Sequence, residues 1–273
     1  MAGQSFVRCG QLDPPQAREA TVAGLTLRVD GRVLTILTPG AIRIAAFAGP
    51  VGSTFTDADI ARLKGSRAQL ALFMGGLGDT EALARANLAQ LATVRLPTLF
   101  IAGGDDRASV IEAAFDALDP SARDYMIHAS GLRELRIGTL RFAVVAGAAL
   151  GRYARDGQAC GFTAEDLTEI AQAVAAGGAD RPWLLSWHAP SGRGVSSSFG
   201  STEVGSPVLA AALDVAGSVS AFPEVEAGRP MSSQAAIVVP RLSPTGTLRV
   251  DGSRVGAGLT VLALRPEGLV QVP

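Results

Sequence analysis

The sequence of 273 residues predicts an α/β fold, with one large domain that contains a mixed sheet or two stacked sheets. Strand-like and helix-like segments alternate through the chain, and both ends are rich in strand-like segments. Unbroken apolar runs such as Leu70–Gly75 and Thr98–Ala102 are typical of strands that are covered on both faces. Hydrophobic residues make up 48% of the chain, which is enough to form a large core.

A hairpin is predicted near the start of the domain. Thr21–Val29 and Arg32–Leu37 alternate between apolar and polar residues on either side of Asp30-Gly31, a dipeptide that favours a tight turn. Further strands are predicted at Ile42–Ala48, Leu70–Gly75, Thr98–Ala102, Tyr125–Ala129, Leu132–Ile137, Leu140–Val145, Val219–Val225 and Ala235–Val239, with one more that ends at His188. Helices are predicted after the capping residues Thr56 and Thr163, and over Thr80–Thr93, Val110–Leu118 and Pro207–Ala216.

The domain organisation follows from these segments. We expect residues 1–20 to form a leader that is a candidate for poor order, and residues 21–273 to form a single domain. That domain should begin with the hairpin and end with a β meander over Thr260–Leu264 and Leu269–Val272. The sequence has no internal repeat, and it has no linker long enough to divide the domain.

Charge and hydropathy exclude several classes of partner. The formal net charge is −1 at neutral pH, which argues against a nucleic-acid surface or an anionic-membrane patch. A protein partner of unknown identity is the expectation. No apolar stretch approaches the roughly 18–20 residues of a membrane span. The amino terminus shows no apolar region of a signal peptide, so the cytoplasm is the default, with an exported protein that has lost its signal as the alternative.

The two cysteines, Cys9 and Cys160, do not settle the compartment. Neither belongs to a Cys-x-x-Cys or Cys/His metal-binding spacing. As an isolated pair they are interpreted as two unrelated thiols, with a disulfide as the alternative.

The stretch Arg181–Ser206 looks most like part of a functional site. Its apolar run ends in Ser186-Trp187-His188-Ala189-Pro190 and then opens into a loop of Gly and Ser. Four other loops follow predicted strands in the same way, at Ala48–Gly52, Gly75–Asp79, Gly103–Asp106 and Ala221–Glu224. Open α/β sheets bind their ligands at such carboxyl ends of strands, so we expect these loops to line one site.

In their order and their strand contexts, the five loops resemble the calcineurin-like metallophosphoesterase family. That family's strands end in Asp-x-His, Gly-Asp, Gly-Asn-His-Asp/Glu, His (often His-Ala-Pro-Pro) and Gly-His-x-His. The most specific matches are SWHAP, followed by a Gly-Ser before a helix, and IAGGDD after a Pro-Thr-Leu-Phe strand. The resemblance spans roughly Ile42 to Val239. It implies a four-layer α/β/β/α sandwich of two mixed β-sheets.

Carried over residue by residue, the family's metal-ligand pattern is mostly lost. Its ligand positions fall, in chain order, on Gly49, Val51, Gly76, Gly104, Asp105, His188, Phe222 and Glu224, with Asp106 as the trailing acid of the third motif. Only His188 is retained. A dinuclear site needs several imidazoles and bridging carboxylates, whereas this chain has two histidines in all, His128 and His188.

The resemblance therefore implies a catalytically inactive, metallophosphoesterase-like protein that acts as a binding or scaffolding module without a metal or other cofactor. Its ligand rim would include His188, Arg193, Gly104 and Asp105, with His188 as a vestigial catalytic candidate or a packed structural residue. The alternative is a phosphoesterase in which Asp79, Asp105, Asp106 and Glu224 hold Mg²⁺, Mn²⁺ or Ca²⁺ through oxygen atoms. Helix capping and turn formation also account for the three aspartates. The sequence contains no nucleophile elbow, P-loop or dinucleotide-binding motif.

Overall fold

A computed structural model describes most of the chain up to Ala212 and several strands beyond it. The described residues are 7–40, 42–49, 52–138, 140–149, 159–176, 183–188, 190–191, 197–198, 202–203, 205–212, 217–221, 236–239, 249–250, 253–254, 260–265 and 268–272. No helix within these ranges has the length and apolar character needed to cross a membrane.

The strands alternate with helices in the central part of the chain, as the sequence predicts. The strands are β1 (Val7–Arg8), β2 (Arg18–Val22), β3 (Leu25–Asp30), β4 (Val33–Leu37), β5 (Arg43–Phe47), β6 (Leu70–Met74), β7 (Thr98–Ile101), β8 (Met126–His128), β9 (Glu134–Ile137), β10 (Leu140–Val145), β11 (Ala148–Ala149), β12 (Cys160–Phe162), β13 (Trp183–Ser186), β14 (Ser197–Ser198), β15 (Thr202–Glu203), β16 (Gly217–Ala221), β17 (Ala236–Val239), β18 (Arg249–Val250), β19 (Ser253–Arg254), β20 (Thr260–Arg265) and β21 (Gly268–Val272). The helices are α1 (Asp57–Gly65), α2 (Glu81–Ala92), α3 (Ala108–Asp116), α4 (Pro120–Arg123), α5 (Ala164–Ala176) and α6 (Pro207–Ala212).

Two large mixed sheets organise the fold, which confirms the predicted α/β class. Within the described residues, one sheet has six strands in the order β21-β20-β5-β6-β7-β8 and the other has eight in the order β17-β16-β13-β10-β9-β4-β3-β2. Strands β5 to β8 are parallel, and β20 adds to them as an antiparallel neighbour of β5. A small parallel sheet, β1-β12-β11, joins the amino terminus to the segment after β10.

Strand β10 shows how the eight-stranded sheet is covered. Phe142 and Val144 belong to the main core cluster, which also contains residues of the six-stranded sheet. Ala143 and Val145 point the other way, into a second cluster with residues of α5 and α6. Helices therefore cover one face of this sheet while its other face shares the core of the second sheet. The complete four-layer order stays a prediction.

The predicted hairpin at Asp30-Gly31 is confirmed, since Asp30 pairs with Val33 across a turn at Gly31. The continuous strand predicted over Thr21–Val29 is wrong. Ala23 and Gly24 have φ angles of 51° and 80°, and two consecutive left-handed residues form the kind of tight turn that reverses a strand. That turn separates β2 from β3, and the two pair in antiparallel fashion.

The interpretation of the cysteines as unrelated thiols is also wrong. Cys9 and Cys160 form a disulfide with their Cα atoms 5.1 Å apart, although 151 positions separate them in sequence. The pairing arises because β1 lies beside β12, with Val7 aligned to Cys160. Local sequence patterns could not show this contact, since the fold alone brings the two strands together.

Phe73 stands at the centre of the aromatic core. Its ring centroid lies 5.2 Å from that of Phe47, 5.5 Å from that of Phe55 and 5.0 Å from that of Phe100. All four side chains are buried, so these rings join β5, β6 and β7 to the segment before α1.

Replacing Phe73 with Ala should lower the free energy of unfolding by about 3–5 kcal/mol, because the side chain is fully buried and its neighbours can only partly close the cavity. Urea denaturation measures the change. Leu37→Ala is the control, since 47% of Leu37 is exposed and its loss should change the free energy by less than about 0.5 kcal/mol. Equal effects of the two substitutions would contradict the assignment of the core.

Candidate functional site

The loops that follow β5, β6 and β7 lie directly against one another. The amide of Gly49 donates a hydrogen bond of 2.8 Å to the carbonyl of Gly75, and the amide of Gly75 donates one of 2.8 Å to the carbonyl of Ile101. These bonds continue the parallel ladder beyond the ends of the strands. The described loops therefore meet at one edge of the sheet.

Gly49 and Gly76 form the tightest contact at this edge. A Cβ atom added at Gly49 would lie 2.0 Å from the carbonyl oxygen of Gly76 and 2.9 Å from the ring of Phe73. Gly76 also has a φ angle of 78°, which favours glycine. Two positions where the metallophosphoesterase resemblance expects metal ligands are thus packed backbone against backbone.

Trp187 fills the next part of the edge. Its indole is 4% exposed and lies so close to Gly75 and Gly103 that a Cβ atom there would come within 2.2 Å and 2.5 Å of Nε1. Trp187 follows β13 of the eight-stranded sheet, whereas both glycines follow strands of the six-stranded sheet. The indole thereby connects the two sheets at their carboxyl edge. The sequence analysis missed this role of Trp187. The available signal was a glycine directly after each of two adjacent strands, at Gly75 and Gly103.

Asp106 holds two of the loops together with its carboxylate. Oδ2 accepts hydrogen bonds from the amides of Gly76 (3.0 Å) and Gly103 (2.7 Å), and Oδ1 accepts one from Leu77 (2.8 Å). The residue is 1% exposed, and its burial raises the pKa of Asp106 to about 6 against the opposing effect of the three amide donors. The negative charge of Asp105 acts in the same direction as burial. Asp106 is therefore a buried structural acid of this edge.

Asn87 of α2 has a similar role that the sequence analysis missed. Its Oδ1 accepts a hydrogen bond of 2.9 Å from the amide of Phe55, and its Nδ2 donates to the carbonyls of Leu77 (2.7 Å) and Ser53 (3.3 Å). A polar residue on the inward face of α2, beside Leu88, was the signal for it. Asn87 ties the segment before α1 to the loop after β6.

His188 is buried, with 3% of its surface exposed. Its Nδ1 accepts a hydrogen bond of 3.0 Å from the amide of Ala149, and its ring meets that of Phe162 edge to face at 6.1 Å. The other histidine, His128, lies 2.9 Å from the hydroxyl of Ser130 through Nε2, and that hydroxyl accepts a bond from the amide of Ala102. Both histidines thus support strand ends of the fold.

Three of the remaining predicted site residues lie within the described part of the chain. Gly104 is buried, Asp105 is partly exposed beside Asp106, and Asp79 directly precedes Thr80, the residue that caps α2. Arg193 and Glu224 lie outside the described residues, as do Val51 and Phe222. Among the described residues, no group of three or more His, Cys, Asp or Glu side chains is placed to hold a metal ion.

Comparison with known proteins identifies the fold. No protein-family profile matches the sequence, and no curated protein matches it. TT1561 of Thermus thermophilus matches 85% of this chain and 98% of its own, with a TM-score of 0.55 and 16% identity. A dimetal phosphatase from Danio rerio matches 84% of this chain and 95% of its own, with a TM-score of 0.52 and 11% identity.

The chain has a metallophosphoesterase-like fold. At such low identities the likeness concerns the fold alone, and the dimetal character belongs to the Danio rerio protein. In this chain the metallophosphoesterase-like fold brings Gly49, Gly76, Gly103 and Trp187 to the carboxyl edge, where the described contacts involve the backbone, the indole and the buried carboxylate of Asp106.

The buried carboxylate predicts a pH effect on stability. Because the pKa of Asp106 is raised from 3.8 to about 6 in the folded protein, its stabilising contribution is present below about pH 4 and is lost as the pH rises through 6. Over that range the unfolding free energy should fall by about 3 kcal/mol relative to Asp106→Asn, which removes the titrating group. Urea denaturation from pH 4 to 7 measures this difference. Exposed Asp116→Asn controls for the loss of one charge, and parallel profiles for Asp106→Asn and the parent protein would refute the effect.

The close glycine contact predicts a steric effect. Gly49→Ala should lower the free energy of unfolding by at least about 2 kcal/mol, because the added methyl group collides with backbone atoms that cannot rotate away. Gly40→Ala is the matched control, since nothing lies within 4 Å of the added Cβ there. Thermal and urea unfolding of both variants measure the change. If Gly49→Ala lowers the free energy of unfolding no more than Gly40→Ala does, the backbones of Gly49 and Gly76 are not in close contact.

Proposed function

We propose that this protein is a catalytically inactive member of the metallophosphoesterase-like fold that acts as a binding or scaffolding module. The observation that supports the proposal is that contacts within the protein itself occupy the carboxyl edge. Its space is filled by Trp187 against Gly75 and Gly103, and the oxygens of its buried acid, Asp106, accept hydrogen bonds from three backbone amides.

The positions where the resemblance expects metal ligands leave little room for side chains. Metal-assisted phosphoester hydrolysis in a two-metal site requires side chains that converge on two cations about 3.5–4 Å apart. At Gly49 the space for such a side chain is occupied by the backbone of Gly76, and at Gly76 an added Cβ atom would lie 2.9 Å from the carbonyl oxygen of Gly49. Restoring an Asp or His at Gly49 would therefore require the loops to separate first.

Polar side chains at the carboxyl edge already bind backbone groups. Asn87, Ser130 and His188 all use side-chain atoms to bind the backbone near the strand ends. A metal ion at Asp106 would compete with three amide donors that already satisfy its carboxylate. These groups make the edge rigid, which suits a surface that a partner recognises by shape.

A protein partner would meet the rim through its accessible residues. Of the predicted rim residues, His188 and Gly104 are buried, so Asp105 is the described residue whose side chain is partly exposed there. Arg193 remains part of the proposed rim, although it lies outside the described residues. We propose no cofactor for this function.

An altered metal site is the second candidate function. Asp105 lies close enough to Asp106 for its charge to disfavour ionisation of Asp106, and a divalent cation would relieve that repulsion. In this version Asp79, Asp105, Asp106 and Glu224 would provide the oxygen ligands for Mg²⁺, Mn²⁺ or Ca²⁺. The protein would then be a phosphoesterase.

Metal loading separates the two functions. The full chain is dialysed against Mn²⁺, Mg²⁺ or Ca²⁺, freed of excess metal and analysed by elemental analysis, and hydrolysis of a generic phosphodiester is measured in parallel. We expect neither stoichiometric metal nor metal-dependent turnover. Stoichiometric metal that is lost in Asp105→Ala, together with metal-dependent hydrolysis, would overturn the inactive-module proposal and establish the phosphoesterase.

The binding role is tested on the same protein by affinity purification of heteromeric complexes. A specific complex should form with the parent chain and weaken in Asp105→Arg, which reverses a charge on the rim. Asp116→Arg is the matched control, because Asp116 is exposed at the end of α3. A complex that tolerates Asp105→Arg but not Asp116→Arg would place the partner elsewhere.

A further inference from the structure

Residues 7–13, here called the strap, cross the edge of the fold beside the candidate site. Val7 and Arg8 form β1, which pairs in parallel with Cys160 and Gly161 of β12. Cys9, directly after β1, is bonded to Cys160 and is fully buried with it. A two-residue ladder is too short to be stable by itself, so the strap depends on its other contacts.

Charged groups hold the strap at both of its ends. Arg8 donates from Nε and Nη2 to Asp166 at the start of α5, with a shortest distance of 2.6 Å, and the Asp166 side chain is 2% exposed. Arg32 donates from one nitrogen to the carbonyls of Gly10 (2.9 Å), Leu12 (3.0 Å) and Gly131 (2.6 Å). Hydrogen bonds to charged groups are among the stronger ones in proteins.

The strand that the disulfide reaches is itself bonded to the candidate site. The amide of Cys160 donates to the carbonyl of Asp106 at 3.2 Å, and the amide of Gly147 donates to the carbonyl of Ala102 at 2.7 Å. On the far side of the same small sheet, the amide of Ala149 donates to Nδ1 of His188. A Cβ atom at Gly147 would lie 2.5 Å from the carbonyl oxygen of Cys160 and 2.6 Å from Sγ of Cys9, so no space separates strap and sheet.

We propose that the Cys9–Cys160 disulfide is a redox-controlled clasp: the intact bond fixes the strap and the β11–β12 edge of the site, and its reduction releases both as one local unit. The clasp is independent of whether the site is catalytic, so it goes beyond the function proposed above. The disulfide joins residues that are 151 positions apart. A cross-link over a long separation lowers the conformational entropy of the unfolded or detached chain more than one over a short separation.

The chemistry is a thiol–disulfide exchange. On closing, the Cys9 and Cys160 thiols lose two protons and two electrons to a disulfide oxidant, which is reduced to two thiols as the S–S bond forms. On opening, a thiolate of a dithiol reductant attacks one cysteine sulfur, and the second thiol of the reductant then resolves the mixed disulfide. This releases both cysteines as thiols and leaves the reductant oxidised. Because both sulfurs are buried, the strap must lift before a reductant can reach them.

The test compares the oxidised full chain with the chain reduced by a dithiol. Alkylation after unfolding should find no free thiol before reduction and two afterwards. Amide hydrogen exchange should accelerate by about 10-fold or more in residues 7–13, 147–149 and 159–162 on reduction, while β6 and α2 keep their protection. Two free thiols before reduction, unchanged exchange, or loss of protection throughout the chain would each overturn the clasp.

The rate of reduction provides a second measurement that needs no cysteine variant. Arg8→Ala removes the ion pair with Asp166, so the strap should lift more often and the disulfide should be reduced about 10-fold faster or more. Arg28→Ala is the matched control, because it removes an exposed ion pair of the same length between Arg28 of β3 and Glu19 of β2. If the disulfide is reduced at the same rate in the parent protein and in Arg8→Ala, the strap does not control access to the clasp.

Discussion

The three hydrogen bonds that the Asp106 carboxylate accepts from Gly76, Leu77 and Gly103 are the interaction on which the carboxyl edge depends. Burial of a carboxylate costs several kcal/mol, and the backbone amides of two loops offset part of that cost, since burial still raises the pKa of Asp106 to about 6. As a result the loops are drawn together. Their approach leaves no room for a side chain at Gly49 or Gly103 and forms a slot that the indole of Trp187 fills.

The same principle extends across the edge. Asn87 joins the segment before α1 to the loop after β6, Ser130 binds the end of β7, and His188 binds β11. Each polar side chain satisfies a backbone group that would otherwise be buried without a partner. The described polar side chains at this edge therefore bind backbone groups of neighbouring loops and strands.

Two connections then unite parts of the chain that are distant in sequence. Trp187 brings the carboxyl edge of the eight-stranded sheet against loops of the six-stranded sheet, and the disulfide joins the amino terminus to β12. Both act close to Asp106, because the amide of Cys160 donates to its carbonyl and the indole covers Gly103. Rigidity at this edge is therefore shared between aromatic packing, a buried acid and a covalent bond.

Local patterns in the amino-acid sequence were sufficient to locate individual elements. Apolar runs located β6 and β7, and the Thr56–Asp59 capping box marked the start of α1, because burial and capping leave patterns within a few residues. The loops of the site could also be named from their places at strand ends.

Long-range contacts emerged only from the assembled fold. They place β20 beside β5, Cys9 against Cys160, and Trp187 on Gly75 and Gly103. The sequence offered a packed structural role for His188, but its hydrogen bond from Ala149 and those of Asp106 from Gly76 and Leu77 required the fold. Such contacts join residues that are mostly tens to more than a hundred positions apart, and they are fixed by strand order and sheet packing rather than by local composition.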